Sequence, residues 1–208
     1  MTLRSAIENK EFIITCEVGP VKGTNIEEIE ESCEVLKGKV TAANITDQQS
    51  SAMRLGSLVT SHLAKERGID PIYQVTCRDR NRIALQSDLL SAAVLGIENV
   101  LALTGDLPSL GDHPHAKPVF DLDSVGLLGA IETLNSGFDM AGNELNGKTN
   151  FFPGAVVNPG ADTEASYEMQ IRKMEKKIRA GAKFIQTQAI YDVDLFEKYI
   201  QNGNTFKD

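Results

Sequence analysis

Three short polar signatures carry side chains suited to acid–base chemistry and to charge stabilisation: Thr15-Cys16-Glu17-Val18-Gly19-Pro20, Leu103-Thr104-Gly105-Asp106-Leu107-Pro108 and Phe184-Ile185-Gln186-Thr187-Gln188. A carboxyl such as Glu17 can deliver a proton in a transition state, and a fixed carboxylate such as Asp106 can stabilise a developing cation. The amide of Gln188 donates and accepts hydrogen bonds at once. All three signatures fall at the C-terminal ends of predicted strands. In a barrel of alternating strands and helices, that edge is where distant parts of the chain converge on a substrate.

The elements that must position these residues recur as six strand-to-helix units. Phe12 to Cys16 reads as the first strand, and Thr24-Asn25-Ile26-Glu27 reads as a capping box opening a helix to about Leu36. The strands that follow are Val40 to Thr46, Pro71 to Cys77, Asn99 to Thr104, Phe151 to Val157 and Lys183 to Gln188. Their helices end near Gly68 and Gly96, start near Ser124, and span about Glu164 to Ala180 and Val193 to Gln201. Near-continuous apolar strands such as Val100-Leu101-Ala102-Leu103 fit a parallel sheet covered on both faces. No G-x-G-x-x-G follows the first strand, so the pattern favours a (β/α)8-type barrel over a doubly wound nucleotide-binding sheet.

Closure of such a barrel takes eight units, and typical examples run to about 250 residues. The expectation is one barrel domain over residues 1–208 that lacks the last two units, with Asn202 to Asp208 as a loop toward a seventh strand. Composition agrees with a globular domain: 208 residues, 41% hydrophobic and 24% charged. The net charge of −8 argues against a nucleic-acid surface. No apolar run approaches a membrane span and the N-terminus lacks a signal-peptide core, which predicts a cytoplasmic protein. Three widely spaced cysteines suggest neither a disulfide framework nor zinc, and each is expected to be buried packing. His113 and His115 have no third partner in view and read as loop residues, so no metal is expected.

Gly142 to Thr149 matches G-x-x-x-x-G-K-[ST] literally. A phosphate-binding loop needs a strand before it and a helix after it. Here it follows a helix and runs into Phe151-Phe152-Pro153, so it reads as a turn or β-hairpin.

Taken together, the three signatures, Gln74-Val75-Thr76-Cys77, Lys117-Pro118-Val119-Phe120-Asp121-Leu122-Asp123 and Asn158-Pro159 resemble the methylenetetrahydrofolate reductase family over essentially the whole chain. Glu17-Val18-Gly19-Pro20 is similar to its acetogen or anaerobe branch. The resemblance implies reduction of 5,10-methylenetetrahydrofolate to 5-methyltetrahydrofolate, in one-carbon metabolism serving methionine or acetyl-CoA synthesis. It assigns Glu17 as the acid that protonates N10, Asp106 as the aspartate that binds the pterin beside the flavin, and Gln188 as a folate contact. A carboxylic acid in that role needs a raised pKa.

Matched flavin positions are Thr46, Asp47, Gln74, Thr104, Gly105, Asp106, Leu122, Asn158, Gln170, Lys173, Lys176 and Lys177. Better-known members carry His where Gln74 and Asn158 stand and Arg where Thr104 stands, which leaves FAD and FMN both open. The helix after the fifth strand has an apolar stripe of Tyr167, Ile171, Met174 and Ile178, and concentrates Arg172, Lys173, Lys176, Lys177 and Arg179 on its other faces. That local charge suits an anion, although Lys173 and Lys177 repel at i,i+4 spacing. The implied electron source is NAD(P)H or a partner protein, and the implied assembly a homo-oligomer or an electron-transfer complex. The alternative is a non-catalytic assembly or partner-binding subunit of the same family.

Overall fold

In the computed structural model of the chain, residues 1–160 and 163–204 are described. Six strands, β1 (Thr15–Val18), β2 (Ala42–Ile45), β3 (Pro71–Thr76), β4 (Asn99–Leu103), β5 (Phe152–Val157) and β6 (Phe184–Thr187), lie parallel in the order β1-β2-β3-β4-β5-β6. The helices are α1 (Leu3–Glu8), α2 (Glu27–Leu36), α3 (Ser57–Glu66), α4 (Arg82–Val94), α5 (Ser124–Asn135), α6 (Glu164–Arg179) and α7 (Val193–Asn204). A helix follows every strand, so the described residues form six βα units with the expected TIM-type architecture.

Alternation along the strands divides the core into two sides. Tyr73, Val75, Val100, Ala102 and Ala155 face outward and pack under Leu85 and Leu89 of α4 and Leu127, Leu128, Ile131 and Leu134 of α5. Val18, Ala43 and Ile45 meet Ile29 and Cys33 of α2 and Ala64 of α3. Each fully buried Leu or Ile on these helices contributes about 1.5–3 kcal/mol of burial free energy. On the other side, Ala42, Ile72 and Leu101 form an apolar layer with Leu3 of α1, with Leu103, Val156 and Phe184 against it. Helix α1 is tied to this end through the Leu3 amide, which donates to Asp70 at 2.7 Å, and through Arg4, which donates to the Asn150 carbonyl at 2.6 Å.

Helix starts are set by local capping. Asn81 accepts from the amides of Ile83 and Ala84, Asp123 from Gly126, and Thr163 from Ser166. The capping box expected at Thr24 does not form. Ile26 is the N-cap of α2, and Asn25 instead accepts from the Glu27 amide at 3.1 Å, because an Asx turn two residues long competes for the same donor. A capping box does occur at Thr2 and Ser5, on a helix without an apolar period long enough to signal it.

Strand β1 begins three residues later than expected and runs through Glu17 and Val18, which register with Asn44 and Ile45. Phe12 and Ile14, whose β-branched and aromatic character suggested the strand, lie exposed before it. Helix α7 extends to Asn204, so Asn202 to Asn204 are helical and not the start of a loop. The remainder of that expected loop, Thr205 to Asp208, lies outside the described residues. Cys33 and Cys77 are buried as expected, whereas Cys16 is only half-buried.

The P-loop-like segment is a compact turn. Phe138 bridges Glu144 in antiparallel fashion, and the Asp139 carboxylate accepts from the amides of Ala141 and Asn143, both at 2.8 Å. These bonds commit the segment's donors internally, and β5, not a helix, follows it.

Candidate active site

On the inner side, polar side chains succeed the apolar layer toward the C-terminal strand ends: Ala42 is followed by Asn44 and Thr46, Ile72 by Gln74 and Thr76, and Phe184 by Gln186 and Gln188. They open into a cavity of about 650 Å³. Glu17 from β1, Asp106 from the β4 loop and Gln188 from the end of β6 all line it. The sheet therefore brings together three residues separated by more than half the chain. The side chains of Glu17, Asp106, Gln186 and Gln188 make no hydrogen bond or ion pair among the described residues.

Most of the positions matched to flavin contacts line the same cavity: Thr46, Asp47, Gln74, Thr104, Gly105, Asn158, Gln170, Lys173 and Lys177. Gln170, Lys173 and Lys177 share one face of α6 at i, i+3 and i+7, while Tyr167 and Met174 are buried in the core, as the apolar stripe predicts. Lys176 is exposed and does not line the cavity. Leu122 also stays outside, half-buried against the outer core.

Commitments differ sharply along this wall. Lys177 donates to the Val156 carbonyl at 2.6 Å, and burial, followed by the charge of Lys173, pulls its pKa down. Lys173 makes no hydrogen bond or ion pair among the described residues. The Asp47 carboxylate is consumed by protein: it accepts from the Thr76 amide at 2.8 Å, the Thr76 hydroxyl at 2.9 Å and the Arg80 guanidinium at 2.7 and 3.2 Å. Its geometry is that of a brace between β2 and β3. Thr46 is different. Its hydroxyl is buried at the cavity wall with no partner among the described residues, a cost that an incoming hydrogen-bonding ligand would remove. Gly105 has φ of +93°, and a Cβ there would sit 3.1 Å from the Cβ atoms of both Arg78 and Thr76, so the β4 loop approaches β3 as only glycine permits.

Residues that sequence reasoning did not single out also line the cavity, among them Gln48, Ser50, Arg78 and Ser124. Arg78 carried one signal, its place directly after the β3 segment Gln74 to Cys77. Gln48, Ser50 and Ser51 adopt left-handed φ values of 51°, 55° and 57°, a conformation no residue type there announces.

The long β4–α5 loop is anchored at both ends. Asp112 pairs with Lys22, accepts from the Met53 amide and contacts His113, while His115 is exposed. Asp121 accepts from the Arg82 amide at 2.8 Å and from its guanidinium at 2.8 and 3.0 Å. The Arg82 side chain, and then its amide, hold the Asp121 carboxyl at a pKa of about 2, below the ordinary 3.8. A depressed carboxyl stabilises the fold fully above its ordinary value and loses that contribution as pH falls through the folded value. The expected result is an Asp121 carboxyl resonance that titrates with a midpoint of about 2. A midpoint at the ordinary value would show that the tie is absent in solution.

A sequentially ordered parallel sheet with a polar cavity at the C-terminal strand ends defines the TIM-type class, in which this edge holds the active site. The match of residues 2–205 to the family model "Methylenetetrahydrofolate reductase" is decisive within that class: the chain belongs to this family. Curated relatives include methylenetetrahydrofolate reductase (NADH) 1 of Arabidopsis thaliana, 29% identical over 138 residues that cover 64% of this chain and 22% of the plant protein. Another is a probable methylenetetrahydrofolate reductase (NADPH) of Caenorhabditis elegans, 26% identical over 65% of this chain and 18% of the relative.

Among solved structures, an uncharacterised Clostridium thermocellum protein that binds two copies of 5-methyl-5,6,7,8-tetrahydrofolic acid superposes with a TM-score of 0.69 at 16% identity. It covers 98% of this chain and 64% of its own. A 2,3-dimethylmalate lyase gives a TM-score of 0.60 at 13% identity, over 96% of this chain and 66% of the lyase. At these identities the likeness is one of fold. The matched region spans about a fifth of the length of the curated relatives. No helix among the described residues is long and apolar enough to cross a membrane.

Proposed function

We propose that the cavity carries out flavin-dependent reduction of 5,10-methylenetetrahydrofolate to 5-methyltetrahydrofolate. The observation that carries this reading is the convergence of Glu17, Asp106 and Gln188, each without a side-chain partner among the described residues, on one cavity whose wall includes the basic face of α6. Glu17 donates a proton to N10 and opens the five-membered ring of the substrate. The Asp106 carboxylate stabilises the resulting iminium cation, as a fixed charge in a cavity does without reorganising. Gln188 holds the pterin by donating and accepting hydrogen bonds.

The residues present fit a flavin. The orphaned Thr46 hydroxyl offers a hydrogen-bonding group in search of a partner, and Lys173 with Gln170 offers donors to phosphate and ribose. When bound, the flavin supplies the hydride that completes the methyl group. Gln74, which donates to Asn44 at 3.3 Å, and Asn158 present amides where other members carry His. FAD and FMN both suit this donor set, and NAD(P)H or a partner protein would reduce the flavin.

Lys173→Ala is expected to weaken flavin binding, read by fluorescence quenching, about fivefold to tenfold, on the order of 1 kcal/mol for one charged phosphate contact. Unchanged affinity for both FAD and FMN would overturn the placement of the flavin along α6. A second reading, a non-catalytic partner-binding subunit, is favoured by β1 and β6, which each have an unpaired edge among the described residues. Folate binding without turnover would support it. Cytoplasmic localisation, folate as the small-molecule partner and assembly into a homo-oligomer or electron-transfer complex belong to the same proposal. So does the treatment of residues 1–208 as one barrel domain.

A further inference from the structure

We infer that Ser51, oriented by Arg78, is a positioning residue that sets the direction of the Asp106 side chain. The inference rests on the folate reading of the cavity for its functional consequence, and on geometry alone for the contact. Arg78 is 3% exposed and lies at the wall between the main cavity and a neighbouring one of about 410 Å³. Its Nε and Nη2 are engaged by the Asp79 carboxylate at 2.8–3.1 Å, Nη1 and Nη2 reach the Gln48 carbonyl at 3.5 Å, and Nη1 donates its shortest bond to the Ser51 hydroxyl at 2.9 Å.

A serine hydroxyl has one hydrogen. With a lone pair occupied by Arg78, that hydrogen turns to the carbonyls of Asp106 and Leu107, at 3.1 and 3.0 Å. Fixing two successive carbonyls fixes the peptide planes that follow the Asp106 Cα, and so the backbone from which its carboxylate projects. The approach is close by construction. Ser51 holds a left-handed φ of 57°, and a Cβ on Gly111 would fall 1.9 Å from the Ser51 carbonyl oxygen. The Val119 amide donates to the Arg78 carbonyl at 2.7 Å, so the same arginine gathers the returning loop.

Ser51→Ala and Ser51→Gly test this, the second because glycine suits the left-handed backbone and preserves the fold. The Leu110 and Gly111 amides, bonded to the Leu107 and Pro108 carbonyls, report on the loop. Their hydrogen exchange is expected to accelerate about tenfold in both variants while the β3 amides remain unchanged. Equal exchange in wild type and both variants would overturn the inference. Titration with 5-methyltetrahydrofolate adds a readout that a merely structural role would not move. Ser51→Gly is expected to weaken binding about fivefold in the wild-type background and not further in Asp106→Ala, since coupled residues are non-additive. Equal losses in both backgrounds would also overturn it. If the wild-type protein binds no folate, the proposed function fails, and the exchange comparison still decides whether Ser51 positions the loop.

Discussion

Glu17→Gln is expected to reduce the rate of 5-methyltetrahydrofolate formation by about 10²- to 10⁴-fold, the range that a positioned general acid contributes. The substitution keeps the size and hydrogen-bonding capacity of the side chain and removes only the transferable proton. Affinity for 5-methyltetrahydrofolate, whose ring is already open, is therefore expected to change little. Glu17 makes no hydrogen bond or ion pair among the described residues, and it sits in β1 with its neighbours registered to β2, so the exchange leaves the fold intact. Rapid-quench measurement of the folate product decides the matter. A rate within threefold of wild type would remove Glu17 from the chemistry.

The second large effect concerns stability. The Asp47 side chain is fully buried and Arg80 is 18% exposed, so the two form a nearly dry ion pair beneath the cavity. Burial alone would lower the Arg80 pKa, but the hydrogen bond and charge of Asp47 outweigh it and the pKa is raised. Arg80 also pairs through Nε with Asp88 at 2.9 Å, so removing Asp47 leaves the guanidinium one buried carboxylate short. Asp47→Ala is expected to cost about 2–3 kcal/mol, a drop in Tm of about 5–10 °C for a chain of this size. Loss of the two bonds to Thr76 adds to the destabilisation. Thermal unfolding followed by circular dichroism checks this, and a shift under 2 °C would mean that water or a nearby group replaces the carboxylate.

The fold was legible because the apolar runs of β3, β4 and β5 are each preceded by a glycine and followed by helices with period-3.6 faces. Tyr167 and Met174 entered the core as that period requires. Type and order of the elements were therefore readable, while the start of β1 was not. Phe12 and Ile14 have the composition of a strand, yet β1 pairs with β2 only from Thr15 onward. Pairing is a property of the partner strand, which local composition does not record.

The cavity was legible at the strand ends, where Glu17, Asp106 and Gln188 stand on segments whose placement follows from the alternating pattern. Its loop layer was not. Ser51 and Arg78 take their importance from a left-handed backbone and from a carbonyl 55 residues away along the chain, and neither feature has a local sequence signature. Lys176 shows the opposite limit: it shares the charge of Lys173 and Lys177, but helical geometry turns it to solvent.

The central claim is that this cavity joins a flavin to methylenetetrahydrofolate, and an anaerobic single-turnover experiment tests it directly. The purified protein, loaded with flavin and reduced chemically, is mixed with 5,10-methylenetetrahydrofolate. The predicted result is return of the oxidised flavin's visible band with one 5-methyltetrahydrofolate formed per flavin, and both slowed about 10²- to 10⁴-fold in Glu17→Gln. A bound flavin that stays reduced in the presence of excess substrate would contradict the account.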